Sequence, residues 1–168
     1  IYGYDKLNET IPSMNVSGGL TEIQKSRRTV RHIFSDLGWN ECITYSLISP
    51  KYIDEFLFPS LQHQEPIVLS HPMSEEHSVL RKSLLPSLIH VVKYNEARKM
   101  TNNAFFEIAK KYYSCNNMTY EENLFSGIIT GETPKTMWKG NHEKVDFFYV
   151  KGVLDTLFTK LRIHVKYI

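Results

Sequence analysis

Cysteine is scarce in these 168 residues: only Cys42 and Cys115 occur, far apart and without CxxC spacing. That pattern excludes a recognisable zinc site and a disulfide framework. No apolar run approaches the roughly 20 residues needed to span a bilayer. Glycine is also sparse, and neither Gly18–Gly19 nor Gly127–Gly131 has the GxGxxG or GxxxxGK pattern of a phosphate-cradling loop. Charge of one sign is lacking too. A net charge of +2 is too small to announce nucleic-acid binding by bulk electrostatics. No internal repeat or low-complexity segment is present. What remains is ordinary, with 42% hydrophobic and 23% charged residues, a composition suited to one soluble globular domain. Three Asn-x-Ser/Thr triplets, at Asn8, Asn15 and Asn117, have no signal peptide and read as chance matches in a cytosolic protein. Ile1 in place of Met, and an apolar alternation reaching Ile168, predict a piece of a longer chain.

Residues 1–19 read as an extended linker and the tail of a preceding domain, because Pro12, Gly18 and Gly19 interrupt polar residues. Residues 20–168 read as one core domain. Thr21 opens a helix as N-cap, with Gln24 completing a capping box and Gly38 ending it. Ile23, Val30, Ile33, Phe34 and Leu37 recur at helical spacing, opposite Lys25, Arg27, Arg28 and Arg31. That basic face reads as solvated, although it has the charge to track phosphates. "ECITYSLIS" alternates as a strand, "KYIDEFLF" as a short amphipathic helix and "PIVLS" as a buried strand. A helix is predicted from Ser78 through Lys99, with Pro86 kinking it or marking a fresh start. "NAFFEIAKKYYS" and "LFSGIITGE" read as strands joined by a polar loop, "DFFYVKGVLDTLFTKLRI" as an amphipathic helix behind Asp146, and "HVKYI" as the start of a last strand. Without a strict βαβ rhythm the pattern predicts α+β, an antiparallel sheet flanked by helices.

The densest polar cluster is "HPMSEEHSVLRKSLLPSLI". His71 and His77 lie six apart across a proline-containing turn, not at the i, i+4 spacing that places two ligands on one helix face. Glu75 and Glu76 are adjacent, so on a helix their carboxylates diverge by about 100° and do not share a proton. Ser74 as N-cap with acidic residues behind it accounts for the cluster. Arg81 stays open, to a structural ion pair first and to a carboxylate or phosphate ligand second. No nucleophile–base set emerges from spacing.

Six segments then carry a resemblance across nearly the whole chain: "IYGYDKL", "GGLTEIQKSRRTVRHIFSDLGWNECITYSLISP", "HPMSEEHSVLRKSLLPSLI", "AFFEIAKKYY", "LFSGIITGE" and "VDFFYVKGVLDTL". In this order they resemble the β chains of bacterial phenylalanine–tRNA synthetases. The resemblance implies a catalytic-like domain built as a class II aminoacyl-tRNA synthetase core. It implies that Thr21–Leu37 with the strand ending at Pro50 is similar to the first class II motif, which builds a dimer interface. Arg27, Arg31, Phe34 and Trp39 become interface candidates on that ground. The alternative is that the apolar stripe only faces the domain's own sheet.

Active class II enzymes have a second motif resembling F-E-I-G-R-x-F-R-x-E, whose late arginine grips the ATP α-phosphate. In register, Phe106-Glu107-Ile108 leads to Tyr113 where that arginine belongs and Cys115 where the glutamate belongs. A phenol cannot neutralise a phosphate, so the resemblance implies no catalytic residue, cofactor site or metal in this segment. The glycine-rich third motif is not seen, and the segment reads as C-terminally truncated. The resemblance further implies an α chain holding the active site, a cytoplasmic two-α two-β assembly without membrane contact, and ATP and Mg2+ for charging tRNA(Phe) with phenylalanine. A stand-alone synthetase-like paralogue acting as a binding or regulatory module is the rival reading. A third possibility is an adenylating enzyme with a non-standard ATP site.

Overall fold

The structure is a computed structural model that describes residues 3–10, 18–55, 64–133 and 143–166. Helix α1 (Glu22–Asp36) begins as predicted. Thr21 Oγ1 accepts from the Gln24 amide at 3.3 Å while Gln24 Oε1 accepts from the Thr21 amide at 2.9 Å, a reciprocal capping box. It ends in a Schellman turn. Gly38, at φ +83°, donates to the Ser35 carbonyl, and the Trp39 amide donates to the Phe34 carbonyl. The turn folds Trp39 back so that its ring meets Phe34 edge-on, centroids 5.3 Å apart.

The chain then leaves in a two-residue strand, β1 (Asn40–Glu41), parallel to β4 (Asn103–Cys115). β4 pairs antiparallel along its full length with β5 (Met118–Thr130). The sheet order is β1-β4-β5. The α+β class therefore holds, but the sheet is mixed, since β1 runs parallel to β4. The two long strands are joined by Asn116 and Asn117 alone, with φ +51° and +59°. Two left-handed residues make a tight hairpin turn, and asparagine tolerates that region better than other non-glycines. The predicted loop "CNNMTYEEN" is thus mostly strand. Its polar residues belong to an exposed stretch of β5, where apolar alternation could not announce it.

One face of the hairpin packs against α1 and α3 (Phe147–Leu161). Ile33, Phe34, Trp39, Ala104, Phe106, Val153 and Leu157 form the buried cluster between them. Gly127 sits opposite Phe106, where a Cβ would come within 3.0 Å of the Trp39 ring, so glycine there makes room for the indole. Asp146 caps α3 by accepting from the Tyr149 amide at 2.8 Å.

Several expectations are corrected. "ECITYSLIS" is not one strand. It divides between β1 and β2 (Leu47–Ile48), the latter pairing with β3 (Val79–Leu80) in a separate two-stranded sheet. The break falls where the Thr44 amide donates to the Glu107 carboxylate instead of to a ladder neighbour. "PIVLS" makes only an isolated bridge through Val68, which is 61% exposed. The helix predicted from Ser78 starts at Leu85: α2 runs Leu85–Glu96 with Pro86 in its first turn, where a missing amide is harmless. Of "KYIDEFLF", Lys51–Tyr52 close a 3-10 turn begun at Pro50, and 56–58 lie outside the described residues. Ser74 precedes one 3-10 turn, Glu75–His77, and makes no capping bond; its hydroxyl lies 3.3 Å from His77 Nδ1. Residues 164–166 form no strand, and 167–168 are outside the described residues. Within the linker, Tyr4–Lys6 form a 3-10 turn, and 11–17 are outside the described residues.

Candidate functional site

β4 organises the site because its two faces and its free edge do different work. Side chains alternate along a strand, so Ala104 and Phe106 enter the core while Glu107, Lys111, Tyr113 and Cys115 share the opposite face. Backbone groups of the even residues point away from β5, and β1 covers only the first of them. The Phe106 carbonyl accepts from the Cys42 amide at 2.7 Å. Beyond that, arginines finish the edge. Arg27 Nη2 donates to the Ile108 carbonyl at 3.2 Å, and Arg81 Nε donates to the Lys110 carbonyl at 3.1 Å. The Arg81 carbonyl takes the Tyr112 amide, and Glu65 exchanges both bonds with Ser114.

Arg81 is the centre of a buried network. Its guanidinium Nη1 donates to Glu107 Oε1 at 3.1 Å, to Thr44 Oγ1 at 2.7 Å and to the Tyr45 carbonyl at 3.3 Å. Thr44 in turn donates from its hydroxyl to Glu107 Oε2 at 2.8 Å and from its amide to Oε1. Both charged side chains are almost wholly buried, 2% and 3% exposed. Of the two roles left open for Arg81, the structural ion pair is the one found.

Towards the hairpin end the same face carries Lys111, Tyr113, Tyr120 and Glu122. Glu122 accepts from the Tyr113 hydroxyl at 2.5 Å and pairs with Lys111 Nζ at 3.0 Å. Tyr113 stacks on Tyr120, centroids 5.2 Å apart and planes 15° apart, and the Lys111 ammonium lies 5.1 Å from the Tyr113 ring centre. The bond to Glu122 pushes the Tyr113 phenol up to about 12, and the same bond, helped by Lys111, holds the Glu122 carboxyl below its ordinary value. The signs follow. The raised phenol contributes stability that is complete below its ordinary value near 10 and is lost as pH rises through about 12. The depressed carboxyl contributes stability present above its usual range and lost as pH falls through the lowered value. Glu122→Gln is expected to bring the Tyr113 phenol back toward about 10. Ultraviolet titration of this variant, with Tyr113→Phe identifying the late-titrating ring, checks this; a late phase that survives Glu122→Gln contradicts it.

Chemically the arrangement is closed on itself. Where an anionic phosphate would need a free cation, the lysine already has a carboxylate and the tyrosine a hydrogen-bond acceptor. Cys115 pairs with Met118 beside the turn. Cys42 is half-buried; burial pushes its thiol up, with Glu107 and Glu41 adding to the shift. Among the described residues no group of three or more His, Cys, Asp or Glu side chains could hold a metal ion, and no helix is long and apolar enough to cross a membrane. A groove of about 540 Å³ lies beside the network, lined by Tyr45, Leu47, Ile48, Tyr52, Pro86 and His90 among others. His77 and His90 meet Tyr45 and Tyr52 edge-on there.

Of the interface candidates, Phe34 and Trp39 are core residues, 2% and 6% exposed, and offer almost no surface to a partner. The helical stripe turns its Ile33 and Phe34 inward and leaves Ile23 63% exposed. Arg27 is tied to the Ile108 carbonyl, and Arg31 Nε pairs with Glu41 at 2.6 Å. Arg28, on the same basic face, is exposed and has no partner among the described residues. The residues missed from the sequence are Glu122, Thr44 and Glu107 as a buried charge. A signal for Glu122 did exist. Once the turn is Asn116–Asn117, counting outward pairs Tyr113 with Tyr120 and Lys111 with Glu122.

Comparison with known proteins completes the picture. The family model described as the phenylalanyl tRNA synthetase beta chain CLM domain matches residues 7–168. The phenylalanine–tRNA ligase beta subunit of Staphylococcus epidermidis is 41% identical over 167 residues, covering 97% of this chain and 20% of that protein. The corresponding subunits of Geobacillus kaustophilus and Listeria innocua are 42% and 39% identical, over 94% and 97% of this chain and 20% of each relative. The chain therefore spans about a fifth of the length of these curated relatives. Among solved structures, a pyrrolysyl tRNA synthetase of Desulfitobacterium hafniense superposes with a TM-score of 0.56, at 13% identity, over 85% of this chain and 46% of that one. That similarity concerns the fold alone. With a family model spanning nearly every residue and relatives near 40% identity, the chain belongs to the phenylalanyl-tRNA synthetase β-chain family.

Proposed function

We propose that this domain is a catalytically silent class II synthetase core within the β chain of a phenylalanine–tRNA ligase. It supports an α chain that performs ATP-dependent charging of tRNA(Phe). The observation carrying this reading is the Tyr113–Glu122–Lys111 set. At the position that resemblance gives to a phosphate-gripping arginine there is a phenol bonded to a carboxylate, and that carboxylate also neutralises the adjacent lysine. An adenylate phosphate brought there would meet a negative charge where the reaction needs a positive one. These residues do not fit ATP and its Mg2+, so both belong to the α chain in this reading. The assembly is two α and two β chains in the cytoplasm, with tRNA bound by the whole complex.

The test is amino-acid-dependent ATP–pyrophosphate exchange. The domain alone is expected to give none above a no-protein control, and the complex with α is expected to give phenylalanine-dependent exchange. Exchange by the domain alone would establish an adenylating enzyme with an unusual ATP site. A β chain that never associates with α would favour the rival reading of a stand-alone binding or regulatory module.

A further inference from the structure

From the cluster of unpaired cations at the end of α2 and in the turn that follows it we infer that this exposed stripe is a contact surface for the phosphate backbone of RNA. This rests on the reading above, that the chain works in a tRNA ligase. Lys25, Arg31, Lys51, Lys110 and Lys111 each pair with a carboxylate. Lys93, Arg98 and Lys99 do not. All three are exposed within seven residues, and among the described residues none makes an ion pair.

Helical spacing places His90, Lys93 and Tyr94 on one face of α2, and Arg98 follows in the turn beyond Glu96. Between His90 and Lys99 the one acidic residue is Glu96. Tyr94 is 60% exposed, and the central carbon of the Arg98 guanidinium lies over its ring, 3.4 Å from the centroid, with Nη1 donating to the Tyr94 carbonyl at 2.9 Å. A guanidinium stacked this way keeps its remaining N–H edge free, and planar paired donors suit phosphate oxygens. Lys99 adds an independent observation. Its φ is +64°, in the left-handed region where glycine would be unstrained. There it sets a third unpaired cation beside Lys93 and Arg98. Cations near a helix C-terminus also interact with the helix dipole, but that role would affect stability and not RNA binding.

The experiment uses the full two-chain enzyme carrying Lys93→Gln with Arg98→Gln, and separately Lys99→Gly. The glycine variant removes the cation while relieving the backbone, so loss of folding cannot account for its effect. Binding of tRNA is measured over a series of salt concentrations, alongside tRNA-independent ATP–pyrophosphate exchange. Each phosphate contact contributes roughly one unit to the slope of log K against log salt. The double variant is expected to flatten that slope by about two units, Lys99→Gly by about one, and to weaken binding roughly tenfold at moderate salt. Exchange should be unchanged. Unaltered slope and affinity would overturn the inference. So would weakened α–β association with normal tRNA binding, which would make the stripe a contact for an acidic protein surface. Absence of exchange in the unmodified complex would refute the ligase reading alone, and the slope comparison would still decide the RNA surface.

Discussion

Replacing Arg81 with methionine is expected to lower the domain's stability by about 3–5 kcal/mol, the range for removing one partner of a buried ion pair. The cost comes from what is left behind. Glu107 would stay at 2–3% exposure with only Thr44 to satisfy it, and the Lys110 and Tyr45 carbonyls would lose their donor. Combining Arg81→Met with Glu107→Leu should recover part of the loss, because no unpaired charge then remains buried. Recovery stays incomplete, since the two carbonyls still lack a partner and Thr44 loses its acceptor. Urea denaturation of the wild type, both single variants and the double variant gives the coupling directly. A single variant within 1 kcal/mol of wild type would mean that this network does not hold the segment after β1 against β4.

The second large effect separates two residues on α1. Phe34→Ala is expected to cost about 3–5 kcal/mol, as deletion of a fully buried ring does. Phe34 meets Trp39, Phe106 and Phe125 with ring centroids 5.3, 5.3 and 4.5 Å away, so little can collapse into the cavity. Arg28→Glu, in contrast, should leave the melting temperature nearly unchanged while weakening association with α, because a rim charge steers a partner more than it stabilises a fold. Arg27 and Arg31 are poorer probes of that interface. Arg27 satisfies the Ile108 carbonyl and Arg31 pairs with Glu41, so reversing either disturbs the domain itself. Thermal melts with size-exclusion chromatography of co-expressed chains distinguish the cases. If association survives Arg28→Glu intact, this face of α1 is not where α docks.

Elements with their own local chemistry were legible in the sequence. Thr21, Gln24 and Gly38 specify α1 through bonds made within a few residues, and Asp146 does the same for the start of α3. Phe106 and its alternating neighbours marked β4. The failures share a cause. "PIVLS" and "ECITYSLIS" are apolar enough to be strands, yet a strand exists only where a neighbour supplies hydrogen bonds. The Ser78–Ser83 segment has the spacing of a helix, but β3 draws Val79 and Leu80 into pairing with β2.

By itself, then, the sequence determined the α+β class, both ends of α1, the start of α3 and the family, all of which depend on neighbours along the chain or on residue identity alone. The tertiary structure decided everything that depends on residues far apart in sequence. It paired Arg81 with Glu107 and Thr44, turned Phe34 and Trp39 into core, and brought Glu122 across the hairpin to Tyr113 and Lys111. The physical reason is that a charge or a ring has no fixed role until folding sets what surrounds it. Buried opposite a carboxylate Arg81 is structural, and exposed beside Tyr94 Arg98 is left open to a ligand.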